Sequence, residues 1–313
     1  MPEKLKVILI AGSGRSGSTV LGQLLERTLP AVSGGELRHF WRRGVVENQL
    51  CGCGLPFQAC LYWRAVWERC AGLDHAEAAR VVGLQTRLEH IRNFFLFLLP
   101  GLQPRAWREM QEDYARHLMS MFRAIQAESG TEFIVDSSKL PQHAFLLNQL
   151  AERGDLELHI LHLVRDSRAV AYSWQKQIKR PEIYWKEQNM PVFRPAFSAW
   201  NWSLQNGMMA VLGIRARRRY FLLRYEDFVQ DADQTVAQIG QFVGADPASI
   251  RPLAAALAPR AQPAHTVSGN PMRFEQGPLR IRLDDDWKQK LAPGAKRLVT
   301  LLSLPLLLFY QYL

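Results

Sequence analysis

The sequence predicts an α/β fold, a three-layer sandwich in which helices cover both faces of a central, mainly parallel sheet. Short, continuous apolar runs, typical of strands buried on both faces, alternate with longer helical patterns. Parallel strands need crossover connections, and the helical patterns lie where those crossovers would run. Of the 313 residues, 48% are hydrophobic, which is enough for a sizeable core. We expect residues 1–313 to form a single domain.

Four apolar runs are predicted as strands. The first covers residues 7–11, ends in glycines and precedes a helical pattern from Ser18 to about Thr28. The others cover residues 133–135, 158–164 and 220–224.

A helical insertion is predicted at about residues 55–129, between the first two of these strands. Its longest apolar stripe recurs at three- and four-residue spacings, which indicates a helix face turned toward the core: Met110, Tyr114, Leu118, Phe122 and Ile125. Residues 262–283, rich in Pro, Gly and Arg, are predicted as a late loop.

The first strand ends in a glycine-rich loop that opens a helix, Gly12-Ser13-Gly14-Arg15-Ser16-Gly17-Ser18-Thr19. Glycines let successive backbone N–H groups converge on an anion, and a helix N-terminus adds favourable partial charge. The spacing is that of a P-loop, but Ser18 stands where nucleotide-hydrolysing enzymes carry lysine. A positive charge appears at Arg15 instead. We therefore expect a P-loop-like fold with an anion-binding loop.

A second motif follows the strand at residues 158–164. Arg165 stands at the strand end, Asp166 is placed to cap the next helix, and Ser173 lies eight positions after Arg165. Arginine offers a fork of donors to phosphate oxygens, and serine adds a hydroxyl donor.

Together, the two motifs resemble those of sulfotransferases that use 3′-phosphoadenosine 5′-phosphosulfate (PAPS). The loop is similar to the Arg-Ser-Gly-Ser/Thr-Thr form of the carbohydrate and tyrosylprotein branches. The resemblance implies that PAPS is the co-substrate and that a sulfuryl group moves to an acceptor hydroxyl or amine. It implies that Gly14, Arg15, Ser16, Gly17, Ser18 and Thr19 bind the 5′-phosphosulfate, and that Arg165 and Ser173 bind the 3′-phosphate. The acceptor is left open among small molecules, glycans, lipids and peptides.

Three further roles are implied by the resemblance. Lys139 follows the strand at residues 133–135 and matches the segment whose lysine or histidine reaches the sulfuryl group. Tyr225 is similar to a tyrosine near the adenine. Arg273 lies in the late loop, where the family closes over the 3′-phosphate, and Arg280 and Arg282 are alternatives.

Glu36 is the predicted general base. Gly34-Gly35-Glu36 resembles the Gly-Glu segment that supplies a glutamate base in the tyrosylprotein branch. His143 and His39 remain alternatives, although His143 follows the Leu-Pro pair that a base histidine would precede. Arg15 and Lys139 are expected to stabilise the leaving phosphate while Glu36 takes the acceptor's proton. This in-line transfer needs no magnesium, so we expect no metal.

The charge of the chain favours a polyanionic partner, since 39 Lys and Arg against 29 Asp and Glu give a net charge of +10. A P-loop kinase is an alternative, disfavoured by Ser18 and by the lack of a clear magnesium carboxylate after a strand. A nucleic-acid-binding protein is suggested by the high isoelectric point and by the basic run at residues 215–219, which has no interleaved aromatic residues. We expect no nucleic-acid partner.

Three of the four cysteines are bunched, at Cys51, Cys53 and Cys60, and Cys70 follows them. A tetrahedral zinc site needs four ligands, and His75 is the nearest histidine beyond the cluster. We interpret these cysteines as buried thiols, with a local disulfide or a zinc site as alternatives. The segment at residues 51–63 also resembles one in bacterial members of the sulfotransferase family.

The two ends of the chain bear on location. The first six residues lead into the apolar run without the features of a signal peptide, which predicts a cytoplasmic protein. The apolar residues 298–313 are fewer than the ~20 of a spanning helix, and Pro305 interrupts them. We expect a helix packed on the core, with contact to a membrane surface as the alternative. The oligomeric state is not predicted.

Overall fold

A five-stranded parallel sheet forms the centre of the computed structural model, which describes residues 4–70 and 74–313. The spatial order is β2-β3-β1-β4-β5, and every neighbouring pair is parallel. The strands are β1 (Lys6–Ala11), β2 (Ala31–Gly35), β3 (Phe133–Asp136), β4 (Glu157–Val164) and β5 (Tyr220–Arg224). The predicted fold class is therefore confirmed. The first three residues, where a leader was considered, lie outside the described residues.

The helices follow the predicted crossovers. They are α1 (Ser18–Thr28), α2 (Leu61–Arg69), α3 (His75–Leu88), α4 (Phe94–Leu98), α5 (Arg105–Ser129), α6 (Pro141–Arg153), α7 (Ser167–Ser173), α8 (Pro195–Ala216), α9 (Tyr225–Gln230), α10 (Ala232–Val243), α11 (Leu253–Leu257), α12 (Trp287–Lys290) and α13 (Pro293–Phe309).

Side-chain alternation along β1 explains why helices cover both faces of the sheet. Val7 and Leu9 point into a core cluster shared with α5 and α6. Ile8 and Ile10 point the other way, into a cluster shared with α1 and α10. All four side chains are fully buried. The two clusters lie between the sheet and the helices that cover its two faces.

β2 is absent from the four predicted strands. It is an edge strand of mostly small residues, Ala31-Val32-Ser33-Gly34-Gly35, and it pairs only with β3. Such a segment has no continuous apolar run, because most of its residues are small or polar, although four of the five are buried. Its presence moves the helical insertion to the connection between the second and third strands.

The insertion contains α2 to α5 together with short turns of 3₁₀-helix. The predicted stripe on α5 is buried at Tyr114, Leu118, Phe122 and Ile125, and Met110 packs against the same cluster. The late loop is irregular apart from one turn at Pro271–Phe274.

The C-terminal helix α13 packs against α8, as predicted, and contains Pro305. Val299, Ser303 and Leu307 are buried, whereas Leu301 and Phe309 are exposed. Within the described ranges, no helix has both the length and the apolar character needed to cross a bilayer.

Candidate active site

The carboxyl ends of three adjacent strands carry the candidate active site. The phosphate loop follows β1, Lys139 follows β3 and Arg165 follows β4, so parallel pairing brings the three segments to one edge of the sheet. They enclose a pocket of about 420 Å³. Its lining includes these predicted residues: Gly14, Arg15, Gly17, Ser18, Thr19, Glu36, Lys139, Arg165, Ser173 and Tyr225. Ser16 is fully buried within the loop itself.

A larger hollow, of about 800 Å³, lies beside α5 and is lined by arginines such as Arg116 and Arg123. It receives no residue from the carboxyl ends of the strands. We therefore place the candidate site in the smaller pocket, where the predicted residues converge.

The phosphate loop has the backbone of an anion cradle. Gly12 and Gly17 have φ values of 127° and 93°, which favour glycine, and Arg15 has a φ of 67°. At Gly17, an added Cβ would lie 2.6 Å from the ring of Tyr225. The loop therefore needs glycine at position 17 both for its conformation and for the closeness of Tyr225. A left-handed arginine is strained, and such strain concentrates at functional sites.

Arg15 turns its guanidinium into the pocket. Its Cζ lies 4.6 Å from the ring centroid of Trp174, the residue directly after Ser173. Burial lowers the pKa of Arg15, and the nearby charge of Glu36 opposes that shift. The residue stays a cation at neutral pH because an arginine pKa starts far above 7.

Arg165 is buried at the carboxyl end of β4 and faces the phosphate loop. Its guanidinium donates to the backbone oxygen of Arg15 at 3.2 Å and forms an ion pair with Asp284 at 3.2 Å. The ring of Tyr225 stacks on it, with 4.6 Å between Cζ and the ring centroid. Lys176 lies 3.4 Å from the same Asp284 carboxylate. Arg165 and Lys176 thus share the carboxylate of Asp284.

The helix that follows β4 begins as predicted. Asp166 caps α7 by accepting a hydrogen bond from the N–H of Arg168.

Glu36 and Lys139 form an ion pair in the lining of the pocket. Lys139 Nζ lies 2.6 Å from Glu36 Oε1 and donates to Ser18 Oγ at 3.0 Å. The lysine therefore connects the phosphate loop to the predicted base. The turn after β2 holds Glu36 in place, since its N–H donates to the backbone oxygen of Ser268 at 3.1 Å.

The surroundings of Glu36 keep it ionised. Burial alone would raise its pKa, but Lys139, His39 and Arg43 together bring the pKa well below the usual range of a carboxyl group. His39 lies 3.4 Å from Glu36, and burial beside Arg38 lowers the pKa of His39 to about 4. His39 is therefore neutral at pH 7.

His143, an alternative base, lies away from the pocket. It is buried on α6, and its Nε2 lies 2.9 Å from Asp136 Oδ2. The ring is buried and is not among the residues that line the pocket. This placement removes His143 from the candidate bases.

The placement of Arg273 differs from the prediction. Its side chain is buried and donates to the backbone oxygens of Thr266 at 2.6 Å and Leu50 at 2.8 Å. The guanidinium thus connects the late loop, at Thr266, to the segment that contains Leu50, and it does not line the pocket. Arg280 and Arg282 are exposed and do not line it either. Besides Arg15, Lys139 and Arg165, the basic residues that line it are Arg43, Lys176 and Arg180.

Several lining residues were not predicted: Arg43, Trp174, Lys176, Arg180, Met190 and Asp284. Trp174 and Lys176 lie one and three positions after Ser173. A phosphate-binding motif that continued past Ser173 by one helical turn would have included both. The other four carry no local signal, because distant segments bring them to the pocket.

Comparison with known proteins gives one family match and several similar folds. The model of the sulfotransferase family matches residues 8–248. The fold is similar to the sulfotransferase domain from the olefin synthase of Synechococcus PCC 7002, with a TM-score of 0.50 and 21% identity over 96% of each chain. It is also similar to the sulfotransferase domain from the curacin biosynthetic pathway, with a TM-score of 0.50, 19% identity and coverage of 95% of this chain and 97% of that one. A search of curated proteins finds no match. From the family match over most of its length, the chain belongs to the sulfotransferase family.

Proposed function

We propose that this sulfotransferase takes its sulfuryl group from PAPS and transfers it to an acceptor hydroxyl or amine. The observation that carries the proposal is the single pocket shared by the glycine-rich loop, Arg165 and Ser173. PAPS, when bound, supplies the sulfuryl group and a phosphate leaving group. Its two phosphates require two sets of donors, and the pocket lining offers the loop residues with Lys139 as one set and Arg165, Ser173 and Lys176 as the other.

The donors of the pocket fit such a ligand. Within the described residues, Ser16 Oγ, Arg15 Nε and Arg165 Nε are buried without a hydrogen-bond partner. Buried donors are normally satisfied, so a bound anion is the natural partner for them. We assign the 5′-phosphosulfate to Gly14–Thr19 with Arg15 and Lys139. Arg165, Ser173 and the newly found Lys176 are assigned to the 3′-phosphate.

Tyr225 acts as a positioning residue in this proposal. It stacks on Arg165 and contacts Gly17, so it links the two phosphate sites. Its hydroxyl donates to the backbone oxygen of Arg282 at 3.0 Å, which ties it to the end of the late loop. A place beside the adenine is compatible with this position.

The acceptor's proton goes to Glu36 in the proposed mechanism. In the free protein, Lys139 neutralises this carboxylate. If Lys139 turns toward the negative charge that grows on the leaving phosphate, Glu36 loses its strongest stabilising contact, and its pKa rises toward that of an effective base. One movement would then serve both the leaving group and the acceptor. We keep the expectation that this step needs no magnesium.

Calorimetric titration with PAP, the desulfated product, tests the donor. We expect saturable binding of one PAP per chain, and transfer of radiolabelled sulfate from PAPS to at least one member of an acceptor panel. The panel should contain phenols, glycans, lipids and tyrosine peptides, because the acceptor class is open. Absence of PAP binding by folded protein would overturn the proposal. The expected cytoplasmic location stays a prediction that cell fractionation tests.

A further inference from the structure

The three bunched cysteines meet a histidine from far along the chain. The sulfur atoms of Cys51, Cys53 and Cys60 and a ring nitrogen of His265 all lie within 4.8 Å of one another. His265 Nδ1 is 3.3 Å from Cys60 Sγ and 3.8 Å from Cys51 Sγ. Ordinary Zn–S and Zn–N bonds in a tetrahedral site separate the ligand atoms by about 3.5–3.8 Å. The number, chemistry and spacing of these groups match a zinc site.

We propose that Cys51, Cys53, Cys60 and His265 bind one Zn²⁺ ion as a structural site. Four protein ligands fill a tetrahedral shell, so no open position remains for catalysis. Each thiol releases its proton to solvent as its sulfur coordinates the metal. This site is separate from the transfer reaction, and it replaces the interpretation of these cysteines as plain buried thiols.

The backbone of residues 51–55 is folded in a way that suits this role. The N–H of Cys51 donates to the oxygen of Leu55 at 2.8 Å, and the N–H of Gly54 donates back to the oxygen of Cys51 at 2.8 Å. Gly54 has a φ of 87°, and an added Cβ there would touch nothing. Glycine is therefore needed for the backbone conformation of the turn and not for lack of space. Side chains two positions apart share one face of an extended chain. The turn then brings Cys53 close enough to Cys51 for both sulfur atoms to bind the same ion. The N–H of Cys53 also points at Cys51 Sγ, at 3.5 Å.

The fourth ligand is held independently by its own neighbours. The ring of Tyr62 stacks on His265 with 4.9 Å between centroids and 11° between planes. The N–H of Gly52 donates to the oxygen of Thr266 at 3.0 Å, so the cysteine turn lies directly against the histidine segment. His75, the histidine considered from sequence, instead packs edge-on against Trp67 at 5.0 Å.

A disulfide explains the cluster less well than a metal. A disulfide uses two sulfur atoms and leaves the third cysteine and the histidine without a reason to converge. All four cysteines of the chain are free thiols in the structure. The convergence of four ligand groups is what a single tetrahedral ion requires.

The zinc site would hold one wall of the active-site pocket. It joins the cysteine turn to Thr266, and two residues later the oxygen of Ser268 accepts the N–H of Glu36 at 3.1 Å. Asn270, further along, lines the pocket. Loss of the metal is therefore expected to destabilise the fold and to weaken PAP binding through the late loop. The metal content itself does not depend on the proposed function.

Elemental analysis of the full-length protein, purified without chelators, tests the proposal. We expect one zinc per chain, and X-ray absorption with three sulfur ligands and one nitrogen ligand. Cys53→Ser, at the half-exposed member, is the mildest variant and should lower zinc affinity by about 100-fold or more, since even outer-shell changes cost about 10–100-fold. Cys70→Ser is the matched control, because this buried thiol lies outside the cluster. It should retain the full zinc content.

Two measurements on the unmodified protein keep the test decisive if the variants fail to fold. Metal-free protein given Co²⁺ should develop the visible absorption of a tetrahedral thiolate site, and Zn²⁺ should displace it. Thiol titration of denatured, metal-free protein should find four free thiols. Protein without zinc that also fails to take up Co²⁺, or a titration with only two free thiols, would overturn the proposal.

Discussion

At the residue scale, the charged side chains of the pocket form two groups, each with two cations near one carboxylate. Arg165 and Lys176 surround one carboxylate, Asp284, whereas Arg15 and Lys139 lie near another, Glu36. A carboxylate beside each cationic group keeps the free protein from burying uncompensated charge.

Replacement of Arg165 tests the 3′-phosphate site. Arg165→Ala should weaken PAP binding by about 2–3 kcal/mol, because a charge-assisted fork of hydrogen bonds is lost. Adenosine 5′-phosphosulfate, which lacks the 3′-phosphate, should lose far less affinity, and calorimetry with both ligands measures the difference. Arg168→Ala is a matched control, since Arg168 pairs with Asp166 and does not line the pocket. Equal losses for both ligands in Arg165→Ala would make Arg165 purely structural.

The proposed base is tested by Glu36→Gln, which preserves the size of the side chain and removes the basic carboxylate. Turnover should fall by roughly 10²–10⁴-fold, while PAP affinity stays near that of the unmodified protein. A variant with near-normal turnover would transfer the role of base to His39, the other candidate within reach.

The pH dependence of turnover follows from the ion pair of Glu36. Because its pKa lies well below the usual carboxyl range, the free enzyme keeps the base ionised as the pH falls through that range. The acid limb of kcat/KM should therefore lie below the ordinary pKa of glutamate and should be absent in Glu36→Gln. For His39, whose pKa is lowered to about 4, protonation would also occur only in acid. The Glu36→Gln profile separates the two, since an acid limb that survives in the variant would belong to His39.

At the scale of elements, the glycine-rich loop links β1 to α1 and packs against residues of two other elements, β4 and α9. Gly12 approaches the oxygen of Leu163 on β4, where an added Cβ would lie only 2.4 Å away. Gly17 approaches Tyr225 at the start of α9. The loop conformation is therefore coupled to the packing of neighbouring elements and not only to its own sequence.

Gly17→Ala tests that coupling. The methyl group must avoid the Tyr225 ring in a left-handed backbone, so we expect lower thermal stability and at least tenfold weaker PAP binding, a change that corresponds to about 1.4 kcal/mol. Gly83→Ala, inside α3, is the control. A Cβ there meets nothing, and alanine favours a helix over glycine by about 1 kcal/mol. Unfolding curves and PAP titrations should separate the two variants, and normal PAP affinity in Gly17→Ala would contradict the assigned loop.

At the scale of the whole molecule, the pocket joins segments that are remote in sequence. Gly14, Lys139 and Arg165 follow three different strands, and Asn270 and Asp284 come from the late part of the chain. A ligand that binds all of them stabilises the complete fold, because none of these contacts survives unfolding.

PAP should therefore raise the melting temperature of the protein. At 100 times its dissociation constant, the added stability is about 2.7 kcal/mol. ATP with magnesium should do much less, because Ser18 replaces the P-loop lysine and ATP has no 3′-phosphate for Arg165. Thermal denaturation with each ligand at equal concentration measures both effects. Equal or greater stabilisation by ATP would favour a kinase-like site.

The sequence alone determined the local parts of this protein. The apolar runs of β1, β3, β4 and β5 predicted their strands, and the pattern from Ser18 to Thr28 predicted α1, because periodicity and backbone chemistry are written in neighbouring residues. The two phosphate motifs were visible for the same reason. The edge strand β2 was not predicted, because its small and polar residues form no apolar run although most of them are buried.

Tertiary packing decided which side chains reach the same place. Only the fold could show that Arg273 binds Thr266 and Leu50, that His143 faces Asp136, and that Lys176 joins Arg165. It also brought His265 to cysteines more than 200 positions earlier in the chain. Neighbouring residues do not determine such meetings, because they depend on how sheet order and loop packing bring distant segments together.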